Sequence, residues 1–299
     1  MHPLERIFVA IDFGTASDEA LRQAHQRALS TGARLAVCHI IPSQLRSNPL
    51  FPQFNRAAAV KVPLEVDRAA EAVSNRVAEI TGRTGEHVTI MVDHGSPHAE
   101  LLKAAEQWNA SLIVLGSHGM TSTTGIFLGS VGHKIIQCAH STVLVARPSN
   151  REGGIVAGTD FSDPALPAIS AAIDEASRTK RPLTIVHSLE LGFSMASPGA
   201  IALGELPPIV SGEDFAAMQH NARERLLEAL RSFEADAEAL VTTGPAGLAL
   251  ITAAKERNAN LLVVGTTGLT GLSRILLGSV AEEVASKAPC SVLITRLHR

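Results

Sequence analysis

A chain of 299 residues, 45% apolar and 18% charged, is long enough for two domains and apolar enough to bury a core in each. Its net charge of −3, absence of any basic run, single tryptophan (Trp108) and lack of tyrosine exclude the usual electrostatic and stacking routes to nucleic acid. There is no run of ~18 apolar residues and no basic-then-apolar leader in MHPLERIFVAIDFG, which predicts neither membrane span nor export and hence a cytoplasmic protein.

In the first half the predicted strands are Ile7–Ile11, Leu35–Ile40, Val88–Val92, Leu112–Leu115 and Val143–Ala146. They are short, apolar on both faces and β-branched, as buried parallel strands are. Between them, Ala20, Leu21, Ala24 and Ala28 recur at helical spacing, as do Leu101, Leu102, Ala105 and Trp108. The second half repeats the order with Ile155–Gly158, Leu183–His187, Leu240–Thr242, Leu261–Val264 and Val292–Thr295. Pro97 and Pro245 stand where a helix's first turn would begin. The proline-bearing stretches 42–63 and 189–215 read as long loops over the sheet's C-terminal edge. Cys38, Cys138 and Cys290 lack metal-type spacing and read as reduced thiols.

The two halves are one domain duplicated. An offset of 148 residues lays Asp12-Phe13 on Asp160-Phe161 and LAVCHI (35–40) on LTIVHS (183–188). An offset of 149 lays LIVLGSHG (112–119) on LLVVGTTG (261–268), and VLVAR (143–147) on VLITR (292–296). The expected architecture is two tandem, open-twisted, five-stranded parallel α/β sandwiches of Rossmann-like type, with domains at 1–148 and 153–299. The join, PSNREGG (148–154), is too short to let them roam, so a packed pseudo-symmetric pair is expected.

Each copy carries Gly-x-x-Gly, nine residues, then Gly-Ser: GSHGMTSTTGIFLGS (116–130) and GTTGLTGLSRILLGS (265–279). Gly116 and Gly265 end a strand, where a missing Cβ admits close backbone approach by a ligand. Gly129 and Gly278 precede Ser130 and Ser279, expected N-caps of the next helix. A helix start with free amides, a hydroxyl and a glycine suits an anion, and the C-terminal edge of a parallel sheet is where ligands bind.

On these motifs each half resembles a universal stress protein (UspA-like) domain of the ATP-binding branch, an adenine nucleotide α-hydrolase-like fold. The likeness also takes in the Asp-Phe after strand one, the His ending strand two, GSP and GPA before the third helix, and the final Val-Leu-x-x-Arg strand. It implies ATP, or ADP or AMP, with Mg²⁺ as ligand, and a stress-response role exercised through nucleotide-dependent conformation or unknown protein partners. Asp12 and Asp160, beside Ala10 and Gly158, would contact adenosine; Ile40 and Ser188 would border adenine. Gly116, Gly119, Gly129, Ser130 and Val131 would hold ribose and phosphates in copy one, and Gly265, Gly268, Gly278, Ser279 and Val280 in copy two.

There are departures. Gly132 and Ala281 replace a hydroxyl residue common in the family, and only copy two has a basic residue, Arg274, in its loop, which favours the second site. The Asp residues also suit helix capping, and the glycines simple turns. His39 and His187 read as core histidines. His94, His98, His118, His133 and His140 face Thr243, Gly247, Thr267, Glu282 and Pro289 in copy two, so they read as solvated rather than metal-binding.

Neither a Walker motif, nor an SGGxDS-like loop, nor a repeated nucleophile–base–orienter set is present, so at most slow ATP hydrolysis is expected. The alternative of an interaction scaffold with vestigial sites stays open. Val143–Arg147 and Val292–Arg296 resemble the family's dimerising edge strands, so an internal pseudo-dimer is expected, with a homodimer of the whole chain also compatible.

Overall fold

The computed structural model describes residues 4–42, 52–82, 88–118, 128–148, 151–162, 165–190, 212–266 and 277–296, with the backbone alone for 52–63. The first half runs β1 (Arg6–Ala10), α1 (Thr15–Thr31), β2 (Arg34–Pro42), α2 (Pro52–Thr81), β3 (Val88–Gly95), α3 (Pro97–Gln107), β4 (Leu112–Gly116), α4 (Ser130–Cys138) and β5 (Thr142–Ala146). The second runs β6 (Ile155–Gly158), α5 (Leu166–Thr179), β7 (Leu183–Leu189), α6 (Gly212–Ser232), β8 (Glu238–Thr243), α7 (Ala246–Glu256), β9 (Leu261–Gly265), α8 (Ser279–Lys287) and β10 (Ser291–Thr295).

The five strands of each half pair in parallel, and the halves merge into one ten-stranded sheet of order β3-β2-β1-β4-β5-β10-β9-β6-β7-β8. The β5–β10 junction is antiparallel, with Leu144 opposite Leu293. These two leucines are counterparts under the 149-residue offset, so a pseudo-twofold axis passes between them. Both belong to the same core face while Val143, Val145, Val292 and Ile294 belong to the other, so the axis is perpendicular to the sheet.

Alternating residues of each strand feed two cores. Phe8, Ile113, Val143 and Val292 pack beneath α3, α4, α7 and α8, with Leu101, Ile136, Leu250 and Val284 facing them. Ile7, Val9, Val114 and Leu144 pack beneath α1, α2, α5 and α6, with Leu21, Val73, Ile169 and Leu226 facing them. Both cores run across the junction, so the core of each half is continuous with that of the other.

Reciprocal arginines tie the junction. Arg147 donates to the carbonyls of Ala285 and Cys290, and Arg296 to that of Ile136. Residues 136 and 285 are counterparts, each in the last turn of its helix, where orphan carbonyls accept cationic donors well. Arg147 is 4% exposed, and burial pulls its guanidinium down to about 10.

Three expectations change. At the ends of 189–215, read as loop, Leu189 ends β7 and residues 212–215 open α6. Residues 52–63, read as loop, belong to α2: Pro52 is tolerated at a first helical position, and the helix continues past Pro63. What sets that element is its downstream apolar face, Val73 and Val77, buried on the sheet, rather than local propensity. Pro245 is the N-cap of α7, one position before its first turn.

Candidate functional site

Because β6, β7 and β9 are parallel, their C-terminal ends meet at one edge of the sheet. There Gly158, Asp160, Ser188, Gly265, Gly278 and Ser279, with Val280, line a cavity of about 380 Å³. Gly268 and Arg274 lie outside the described residues, as does Gly119 in the first half. In that half Ala10, Ile40 and Gly116 fall near the C-terminal ends of β1, β2 and β4, next to Asp12 and to Gly129, Ser130 and Val131 at the start of α4. Ile40 is buried in the core there and pairs with Asp93 of β3.

The Asp-Phe pair builds the same turn twice. Asp12 Oδ1 accepts the Gly14 amide at 3.0 Å, and Asp160 Oδ1 accepts the Ser162 amide at 3.0 Å. The following Phe13 and Phe161 are held at φ 64° and 62°, a left-handed conformation that costs a bulky side chain energy. Each phenyl ring is pinned by a histidine, with ring centroids 4.8 Å apart for Phe13–His39 and 4.3 Å for Phe161–His187. The Arg225 guanidinium lies 4.7 Å from the Phe161 ring centroid. His39 and His187 each donate Nδ1–H to a backbone carbonyl, of Ile11 and Thr159, at 2.9 Å. A carbonyl accepts only, so the neutral ring keeps Nε2 as an acceptor. His187 thus has a structural duty and also stands on the cavity wall, which the core reading missed.

At both helix starts the N-cap is the glycine, not the serine. Gly129 and Gly278 adopt extended backbone (φ −65°, ψ 158° and φ −67°, ψ 152°), Ser130 and Ser279 are the first helical residues, and among the described residues no side chain caps either helix. The glycine caps themselves offer the first-turn amides of α4 and α8 no side-chain acceptor, and a helix start with free amides is one that takes an anion.

The glycines have different duties. A Cβ on Gly116 would lie 2.6 Å from the carbonyl carbon of Ala16, so that glycine serves the packing of α1 against β4. One on Gly158 would lie 2.7 Å from Leu250 Cδ1, so α7 sets that position as well. Sequence reasoning also missed Glu190, whose carboxylate accepts the Ala246 amide at 2.9 Å and closes the start of α7. No local motif announces it, since the two residues meet only through the β7–β8 pairing. Ser188 donates to the Gly244 carbonyl at 2.7 Å and fixes the same corner. Among the described lining residues the charged side chains are Asp160 and Glu190, so an anionic ligand draws its favourable field from the start of α8.

Comparison with known proteins adds family evidence. The model of the universal stress protein family matches residues 3–147 and again 154–296. A universal stress protein from Mycolicibacterium smegmatis is 28% identical over 97% of this chain and 96% of its own. One from Mycobacterium tuberculosis is 26% identical over the same shares. The crystal structure of a universal stress protein from Archaeoglobus fulgidus superposes with a TM-score of 0.63 at 20% identity, covering 99% of both chains.

Proposed function

We propose that this chain, which belongs to the universal stress protein family, binds an adenine nucleotide, ATP or its ADP and AMP products, at the C-terminal strand edge of its second half. The observation that carries the reading is the cavity at that edge, lined both by the turn bearing Asp160 and by the glycine-capped start of α8. Adenosine would lie between Gly158, Asp160 and Ser188, with phosphates on the amides of Ser279 and Val280 beside Gly265 and Gly278. The oxygens of Asp160, Glu190 and Ser279 are of the type that Mg²⁺ takes alongside phosphate. The first-half set, Ala10, Asp12, Ile40, Gly116, Gly129, Ser130 and Val131, forms the second and weaker site in this proposal.

The stress role would run through nucleotide-dependent recognition of protein partners in the cytoplasm, with domains at 1–148 and 153–299. Among the described residues no helix is long and apolar enough to cross a membrane.

Calorimetry with ATP, ADP and AMP at millimolar Mg²⁺ tests the reading. Gly278→Ala/Ser279→Ala is expected to weaken the tighter event at least about tenfold, and Gly129→Ala/Ser130→Ala to leave it nearly unchanged. Binding unaltered in both variants, or no binding to wild type, removes the proposal. Rapid steady-state phosphate release would favour an enzyme instead.

A further inference from the structure

The pseudo-twofold axis between Leu144 and Leu293 makes counterpart residues meet on both sides of the sheet, and one of the meetings is a buried ion pair. On the α1/α5 side, Arg27 faces Glu175 at 3.1 Å, with side chains 9% and 8% exposed. These are counterparts under the 148-residue offset, as are Ser30 and Arg178, which hydrogen-bond at 3.2 Å. On the α4/α8 side, His133 stands 3.6 Å from Glu282, its counterpart under the 149-residue offset. In the Arg27–Glu175 pair the first half contributes the base and the second half the acid, whereas His133 Nε2 accepts the Gln137 amide at 2.9 Å.

A twofold surface is self-complementary, so without some distinction either half could pair with its own copy from another chain as well as with its partner. We propose that Arg27–Glu175 is the distinguishing element: a charge code on the axis that fits the first half to a second half and rejects like pairing. Two first halves would bring Arg27 onto Arg27 inside a nearly dry contact. Two second halves would bring Glu175 onto Glu175, softened by Arg178, which holds Glu175 from its own helix at 2.6 Å. The code is therefore stronger against first-with-first pairing. Its function is discrimination rather than net stability, since a buried pair gains little over apolar side chains of the same size while a mismatched one is costly.

Full-length variants recreate each alternative within one chain. Glu175→Arg sets three cations on the axis, and Arg27→Glu sets two acids beside Arg178. Urea unfolding is expected to show a loss of at least about 100-fold in the folding constant for Glu175→Arg and a smaller loss for Arg27→Glu. The exchanged double variant R27E/E175R is expected to recover to within about tenfold of wild type, and the neutral R27L/E175L to stay near it. If Glu175→Arg does not fold at all, recovery of a folded exchanged variant carries the same meaning. An exchanged variant no more stable than the single reversals, or like-charged variants as stable as R27L/E175L, overturns the proposal, because packing alone would then hold the junction.

Discussion

Gly116→Ala puts a methyl group 2.6 Å from the carbonyl carbon of Ala16 and 2.7 Å from its oxygen, both backbone atoms. No rotamer relieves such a contact, so α1 must shift away from β4 and carry Ala20, Leu21 and Ala24, all fully buried, out of register with the sheet. Overpacking of this kind costs about 1–3 kcal/mol, or about 5- to 150-fold in the folding constant. Gly132→Ala is the control. Its methyl group would lie 2.9 Å from Leu115 Cδ1 and Leu128 Cδ1, ends of flexible side chains, and the second half already has Ala281 at the counterpart position. Helix propensity favours that alanine by up to about 1 kcal/mol, so Gly132→Ala is expected to be near neutral. Urea midpoints at constant slope give both values. Equal stability of the two variants, or a loss under about 0.5 kcal/mol for Gly116→Ala, would refute the packing role of that glycine.

Because both cores cross the β5–β10 junction, the halves are expected to unfold together, with calorimetric and van't Hoff enthalpies equal for the whole chain; two separated transitions would contradict this. Burial alone would raise the Glu175 carboxyl, but Arg27 and Arg178 outweigh it and hold the group below the ordinary glutamate value. A depressed carboxyl contributes stability above its unfolded pKa, about 4.3, and that contribution is lost as pH falls through the folded value. Glu175→Gln should therefore lose less stability than wild type on acidification between about pH 5 and 3, and an equally steep acid limb would count against the pairing. Burial pushes the thiols of Cys38 and Cys290 up to about 12, whereas Cys138 is exposed. Thiol titration of the native protein at about pH 8 is expected to modify Cys138 alone, with the other two reacting only on unfolding.

The strands were legible because their burial is nearly complete: β4 and β5 are apolar runs with helices on both faces, and such runs leave a signal no turn can imitate. The start of β8 at Glu238 was not, since an edge strand carries polar residues, here a Glu238–Arg257 ion pair. Likewise α2 was hidden by Pro52 and Pro63, which signal a break locally while the face around Val73 and Val77 is what decides. At the site, the Asp, the glycines and the Gly-Ser helix starts stood out as a repeated motif. Phe161 and His187 repeat as well, but their roles, like Glu190 altogether, are hidden in the sequence because they depend on neighbours brought in by strand pairing. The axis contacts were visible only as mismatches: His133 against Glu282 looked like divergence until the fold set the two side by side.

The antiparallel seam between β5 and β10 has a directional consequence. Strands of the first half end at one rim of the sheet and those of the second at the opposite rim, so the helix starts at Ser130 and Ser279 open away from each other. The same reversal lets β5 leave and β6 enter at a shared rim, which is why a connection from 147 to 154 suffices. The duplication sets its two helix starts on opposite rims of one sheet rather than side by side on one face.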